Sequence, residues 1–149
     1  MASASMRSQF PEVDFAAMRD AVLRQVPEEH RSRFKGMIRN DPTLRDRLRS
    51  LAARPDPEAI AQLVPNVDQW AKRTTQARNY LAHEGGTPKH SIDELVAIVE
   101  TTRAVVILNV LHELGLPAER QRQIVQENSQ LRAVSREARE WLVALEPDS

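Results

Sequence analysis

The sequence contains no cysteine, and this absence excludes several chemistries at once. With none among 149 residues, the chain cannot build a disulfide framework, bind a metal through thiolates or use a cysteine nucleophile. The absence fits a reducing compartment, and we expect a cytoplasmic protein. No carboxylate cluster with metal-ligand spacing accompanies the four histidines, so we expect no metal and no other cofactor. These histidines are His30, His83, His90 and His112.

Aromatic residues and long apolar runs are also scarce. Only 4% of residues are aromatic, so a core must consist mainly of Leu, Val, Ile and Ala. The longest apolar candidate, Ala104 to Leu111, is interrupted by Asn109 and falls short of the roughly 20 residues that span a bilayer. We therefore expect no membrane association. The chain length fits one compact domain.

The formal net charge is zero, so no global field attracts the chain to nucleic acid. Basic residues are nevertheless concentrated between Arg31 and Arg54, where the only acids are Asp41 and Asp46. Such a run is most often a solvated helix face. An RNA-facing patch is the alternative.

Apolar residues recur at spacings of three and four along nearly the whole chain, and no segment alternates with a period of two. This pattern predicts an all-α helical bundle. Asp14, Pro27, Asp41, Asp56 and Asn66 are the expected helix starts. We expect three regions: a flexible leader over residues 1–13, a helical N-terminal extension over 14–64, and a core bundle over 65–146.

The most apolar helix is expected between Ser91 and Leu114. Ser91 and Glu94 have the spacing of a capping box, in which the two side chains bond each other's backbone N–H. The wide apolar stripe predicts burial on two sides, in the fold centre or in a subunit interface. A last helix is expected after Pro117, with a kink at Asn128.

The stretch Arg78-Asn79-Tyr-Leu-Ala-His83, just before Gly85-Gly86, has the residue types that RNA cleavage by the RNA's own 2′-hydroxyl requires. A histidine can move protons near neutral pH, and an arginine can stabilise the charge that builds on phosphorus. Asn79 can orient His83 or bond a phosphate oxygen. Arg78 and His83 lie about 140° apart on a straight helix, so they converge only if the helix end loosens or two copies face each other.

The spacing alone is weak evidence, since Arg24 and His30 show a similar one by chance in an arginine-rich chain. The adjacent Asn79 makes the motif more specific. Nearby, Lys72 and Arg73 are candidates to hold flanking phosphates, although solvated surface is the simpler interpretation. Tyr80 is a candidate to stack a base, although packing is the simpler interpretation.

The motif lies at the end of a helix that contains Trp70, and an apolar helix ending Leu108-Asn-Val-Leu-His-Glu-Leu-Gly115 follows it. This arrangement resembles the HEPN superfamily. Ala77-Arg-Asn-Tyr-Leu-Ala-His83 looks most like its Apea-like branch, found at the C-terminal end of bacterial anti-phage defence proteins. The resemblance covers Val67 to Gly115.

The resemblance implies a homodimer whose two copies of Arg78 and His83 line one cleft. It also implies metal-independent endoribonuclease activity leaving 2′,3′-cyclic phosphate ends, in a toxin or abortive-infection system. Asn79 matches the polar residue that often follows the arginine. An N-terminal sensor domain or an antitoxin is a further expected partner. The alternative is a non-catalytic HEPN module for dimerisation or RNA binding.

Overall fold

Helical periodicity and local capping residues determine the architecture, which is described by a computed structural model of residues 8–86 and 89–142. This part of the chain forms eight α-helices and no strand, so the all-α prediction is confirmed. The chain divides into two compact units, residues 1–43 and 44–149. The first seven residues of the expected leader lie outside the described residues.

The first unit contains α1 (Glu12–Arg24) and α2 (Glu28–Met37). The predicted start of α1 at Asp14 is wrong, because Pro11 precedes the helix and its carbonyl accepts a hydrogen bond from Phe15 N at 2.9 Å. Asn40, which follows α2, forms hydrogen bonds with both the backbone N–H and the carbonyl of Phe10, which precedes α1. Leu23 is the only buried side chain of the two helices.

The second unit contains six helices: α3 (Leu44–Ala52), α4 (Pro57–Leu63), α5 (Val67–Glu84), α6 (Ile92–Glu113), α7 (Ala118–Glu127) and α8 (Ser129–Trp141). Helix α6 is central and contacts each of the other five. The core joins Leu48 of α3, Leu63 of α4, Trp70 of α5, Leu108 of α6 and Ala138 of α8. The predicted boundary at Pro65 therefore falls inside this unit, between two helices that share one core.

Local capping explains most helix limits in this unit. Asp56, Asn66 and Ser91 each accept a hydrogen bond from a backbone N–H three residues later, at 3.0, 3.0 and 3.1 Å. Gly85 ends α5 in the left-handed conformation, with φ of 67°, which glycine adopts at little cost. The expected start at Asp41 is wrong, since α3 begins at Leu44.

Asn128 divides the expected last helix into two. It ends α7, and its Oδ1 accepts hydrogen bonds from the backbone N–H groups of Gln130 and Leu131 at 3.0 and 3.1 Å. A residue that bonds the following turn in this way is an N-cap and not a kink within one helix. The prediction of a single kinked helix is therefore wrong.

Helix α6 has two different faces. One is buried and includes Ala97, Val105 and Leu108, together with the polar Thr101 and Asn109. The other is a stripe of exposed apolar residues that Arg103 interrupts and that ends at the C-cap, consisting of Ile92, Val96, Val99, Val106, Val110 and Leu114. By length and composition this helix of 22 residues could cross a membrane, which corrects the expectation that no segment is long and apolar enough. The central helix of a bundle meets the same criteria.

Candidate functional site on α5

The last turns of α5 carry the three residues of the candidate catalytic motif. Arg78, Asn79 and His83 are all exposed. The Arg78 guanidinium donates a hydrogen bond from Nη1 to Asn79 Oδ1 at 3.3 Å. The structure thus brings Arg78 and Asn79 together, and the amide of Asn79 contacts the arginine and not His83.

His83 is separated from this pair by the geometry of the helix. α5 is helical through Glu84 and ends only at Gly85, so the last turn is not loosened. On a regular helix, five residues place Arg78 and His83 about 140° apart. Arg78 and His83 therefore do not converge through a loosened helix end within the protomer.

A groove of about 610 Å³ lies between α5 and α6, directly beside Arg78. Ala77, Leu81 and Ala82 line it from α5, and Leu95, Ile98 and Val99 line it from α6. Arg78 is the one charged residue among those that line it. Through Val99 the groove is continuous with the exposed stripe of α6, so the guanidinium lies at the edge of an extended apolar surface.

Arg73, a candidate RNA contact, faces the interior of the protein. Its Nη1 lies 2.5 Å from Glu94 Oε1 and 2.9 Å from the carbonyl oxygen of Trp141. The side chains of Arg73 and Glu94 are only 13% and 10% exposed. These bonds join α5 to the first turn of α6 and the end of α8, so the structure gives Arg73 a structural role.

The same ion pair corrects the expected capping box at Ser91. Ser91 Oγ accepts from Glu94 N as predicted, but the carboxylate of Glu94 contacts Arg73 and also lies 3.1 Å from His90 Nδ1. No partner for His90 was evident in the sequence, because the spacing of Ser91 and Glu94 assigned that carboxylate to a local bond. The charge pattern also carries no signal for the contact of Arg73 with Glu94, which lie 21 residues apart on different helices.

The other candidate RNA contacts are partly engaged within the protein. Lys72 is half-buried and interacts with another group of the protein. Tyr80 is also half-buried, and the ammonium of Lys89 lies 5.8 Å from the centre of its ring, a cation–π distance. A base that stacked on this face of Tyr80 would displace Lys89. This arrangement agrees with packing as the simpler interpretation of Tyr80.

The basic run between Arg31 and Arg54 is divided between the two units. Its first part belongs to α2 and its second to α3, in different units. In the second part Arg49 is neutralised by Asp68 at 2.6 Å. In the described part of the chain, no three side chains of His, Asp or Glu converge as metal ligands do.

Comparison with known proteins defines the class to which this bundle and its motif belong. A family model described as Apea-like HEPN matches residues 4–120. The chain therefore belongs to the Apea-like HEPN family, as the motif at Arg78 predicted. The match extends well beyond Val67–Gly115 and includes α1 to α4. No curated protein and no solved structure matches the chain.

Proposed function

We propose that this protein is a metal-independent endoribonuclease of the HEPN type that acts in bacterial defence against phages. The defence role is supported by family membership alone. The cleavage chemistry is supported by the site itself. Its main support is the exposed Arg78–Asn79 pair at the rim of the α5–α6 groove, with His83 one turn further along the same helix.

In the proposed reaction the 2′-hydroxyl of the RNA attacks the adjacent phosphorus and the bond to the 5′-oxygen breaks. His83 transfers a proton, either from the attacking hydroxyl or to the leaving oxygen. Arg78 bonds the phosphorane oxygens and stabilises their charge. Asn79 holds the guanidinium through its Oδ1 and orients it towards the phosphate.

The geometry favours a site shared by two protomers. In one protomer, the helix keeps Arg78 and His83 on different sides. An exposed apolar stripe as long as that of α6 is typical of a protein interface. A two-fold axis through this face would pair each stripe with its copy. We propose that the same association brings the Arg78 of one protomer near the His83 of its partner.

RNA cleavage in EDTA tests this proposal with Arg78→Ala and His83→Ala. We expect each variant to lose roughly a hundredfold or more in rate, the usual effect of removing a general acid–base group or an oxyanion donor. Arg24→Ala and His30→Ala are the matched controls, because this exposed pair has similar spacing without the motif. Undiminished cleavage by the two site variants, or an absolute need for a metal, would contradict the proposal.

A non-catalytic dimerisation module is the second candidate function. The groove and the stripe on α6 favour it, since both suit association and neither requires chemistry. A protein that dimerises and binds RNA, yet leaves every RNA intact, would establish this second function.

A further inference from the structure

A row of arginines occupies one side of α8, away from the motif on α5. Arg132, Arg136 and Arg139 are all exposed. Their spacing of four and three places them within an arc of about 60° on a regular helix. They line a cleft of about 340 Å³ beside α4 and α7, which Gln62 and Gln126 also line. Three guanidinium groups thus border one polar cleft.

Several arginines of the unit have a counter-charge, which these three lack among the described residues. Arg49, Arg73 and Arg122 each contact a carboxylate, on Asp68, Glu94 and Glu58 respectively, within 2.8 Å. None of the three arginines on α8 has an ion pair among the described residues.

The acids of α8 do not neutralise the row. Glu140 could pair with Arg136 one turn away, but no such contact forms among the described residues. Glu137 lines a different cleft, together with Glu100 and Arg103 of α6. The row is therefore a local concentration of positive charge in a chain whose net charge is zero.

The walls of the cleft are fixed by packing. The Ser135 hydroxyl donates a hydrogen bond to the Gln62 carbonyl, which attaches α8 to α4. Ser135 is buried, and so is Val125 on α7. The backbone positions of the three arginines are therefore fixed relative to α4. Binding of an anion here orders the arginine side chains but not the backbone, so it costs less entropy than binding to a mobile loop.

We infer that the arginine row on α8 binds the phosphate backbone of the RNA substrate. The guanidinium fork matches phosphate geometry, and the row extends about 10 Å along the helix axis, which suits several successive phosphates better than a single anion. The amides of Gln62 and Gln126 can bond additional phosphate or sugar oxygens. Such contacts position RNA without reading its sequence. The inference rests on the proposed function, in which RNA is the substrate.

Fluorescence anisotropy with a short single-stranded 2′-O-methyl RNA tests the inference separately from catalysis, since this RNA lacks the attacking hydroxyl and stays intact. We compare the unaltered protein with the triple variant Arg132→Gln, Arg136→Gln and Arg139→Gln. Loss of three phosphate contacts should weaken binding by roughly tenfold or more and lower the slope of log K against log salt by about 2. Circular dichroism verifies that the variant remains helical.

The matched control removes three exposed arginines elsewhere: Arg24→Gln, Arg33→Gln and Arg120→Gln. Its affinity should change less than twofold, since contacts and not total charge decide binding. Equal losses in both triple variants, or unchanged binding by the α8 variant, would overturn the inference. So would binding of poly-glutamate that depends on the row while RNA binding does not, because the row would then serve an acidic protein.

The two proposals can fail separately. A protein that binds 2′-O-methyl RNA through the row but never cleaves RNA retains this inference and loses the proposed nuclease. A protein that cleaves RNA with unaltered affinity in the α8 triple variant retains the nuclease and loses the inference.

Discussion

Arginine occupies three distinct environments in this chain, and its partners decide what each residue does. Arg73 is buried against a carboxylate and a backbone carbonyl. Arg78 is exposed and donates a hydrogen bond to the neutral amide of Asn79. Arg136 is exposed at a cleft that it shares with two other arginines. A phosphate can reach the last two without displacing a carboxylate, whereas Arg73 is already neutralised.

The Arg73–Glu94 pair should contribute strongly to stability. Glu94→Gln leaves the buried guanidinium without its counter-charge, and we expect the free energy of unfolding to fall by about 3 kcal/mol. The control is Arg49→Gln, which breaks the equally short pair with Asp68 whose side chains are 41% and 68% exposed. That loss should be under about 1 kcal/mol because solvent screens the exposed pair. Urea unfolding measures both, and equal losses would contradict the structural role of Arg73.

At the level of single residues, sequence identified the motif but not its surroundings. Arg78, Asn79 and His83 are predicted as site residues because the family resemblance and the local spacing both mark them. The pairing of Glu94 with Arg73 could not, because the two residues lie on different helices and Ser91 offers Glu94 a plausible local bond. Ion pairs between different helices do not recur at a regular spacing along the sequence, so a periodic pattern does not reveal them.

At the level of elements, one face of α6 packs in the core, and the other face carries exposed apolar residues. Its buried face contacts every other helix of the second unit. The exposed apolar residues run from Ile92 to Leu114 and are interrupted by the exposed Arg103. Exposure of so much apolar surface favours association, and Val99 connects the stripe to the groove beside Arg78.

Val99→Asp should therefore weaken self-association without altering the protomer. The side chain of Val99 is 62% exposed, so a carboxylate there is solvated in the free protein. A symmetric dimer would bury two such charges, and we expect its dissociation constant to rise roughly a hundredfold or more. Sedimentation equilibrium measures this.

Val13→Asp is the matched control, since Val13 is 81% exposed on α1 and lies outside the stripe. It should leave association unchanged. Identical association by the Val99 variant and the unaltered protein would remove the α6 stripe from the interface.

Element boundaries were predictable where a cap is local. Asp56, Asn66, Ser91 and Gly85 bond or turn the backbone within three residues, and the helices begin or end beside them. Predictions failed where two local signals compete. Asp14 has a cap-forming side chain, yet Pro11 starts the helix earlier. At Asn128, the bonds to the following turn decide that two helices form and not one bent helix.

At the level of the whole molecule, the hydrophobic core belongs to residues 44–149. We propose that these residues fold independently of the first unit. The core cluster combines residues of α3 and α4 with those of α5 to α8, so a domain that started at residue 65 would lack part of its interior. Periodicity carries no signal for this limit, because helix–helix packing across Pro65 leaves no mark in it.

Fragments test the boundary directly. We expect fragment 44–149 to unfold cooperatively with heat, as followed by circular dichroism. Fragment 65–149 should show no cooperative transition. It lacks Leu48, Ile60 and Leu63 among other core side chains, each worth about 2 kcal/mol when buried, and their sum approaches the stability of a domain. Cooperative unfolding of the shorter fragment would contradict this boundary.

The central claim is that Arg78 of one protomer acts with His83 of the other, and mixing two inactive variants tests it most directly. The two variant proteins, Arg78→Ala and His83→Ala, are mixed in equal amounts, unfolded and refolded together. The mixture is then assayed for RNA cleavage in EDTA. Half of the dimers would then be mixed, each with one complete Arg–His pair across the axis, so roughly a quarter of the normal activity should return. A mixture as inactive as either variant alone would contradict the shared site.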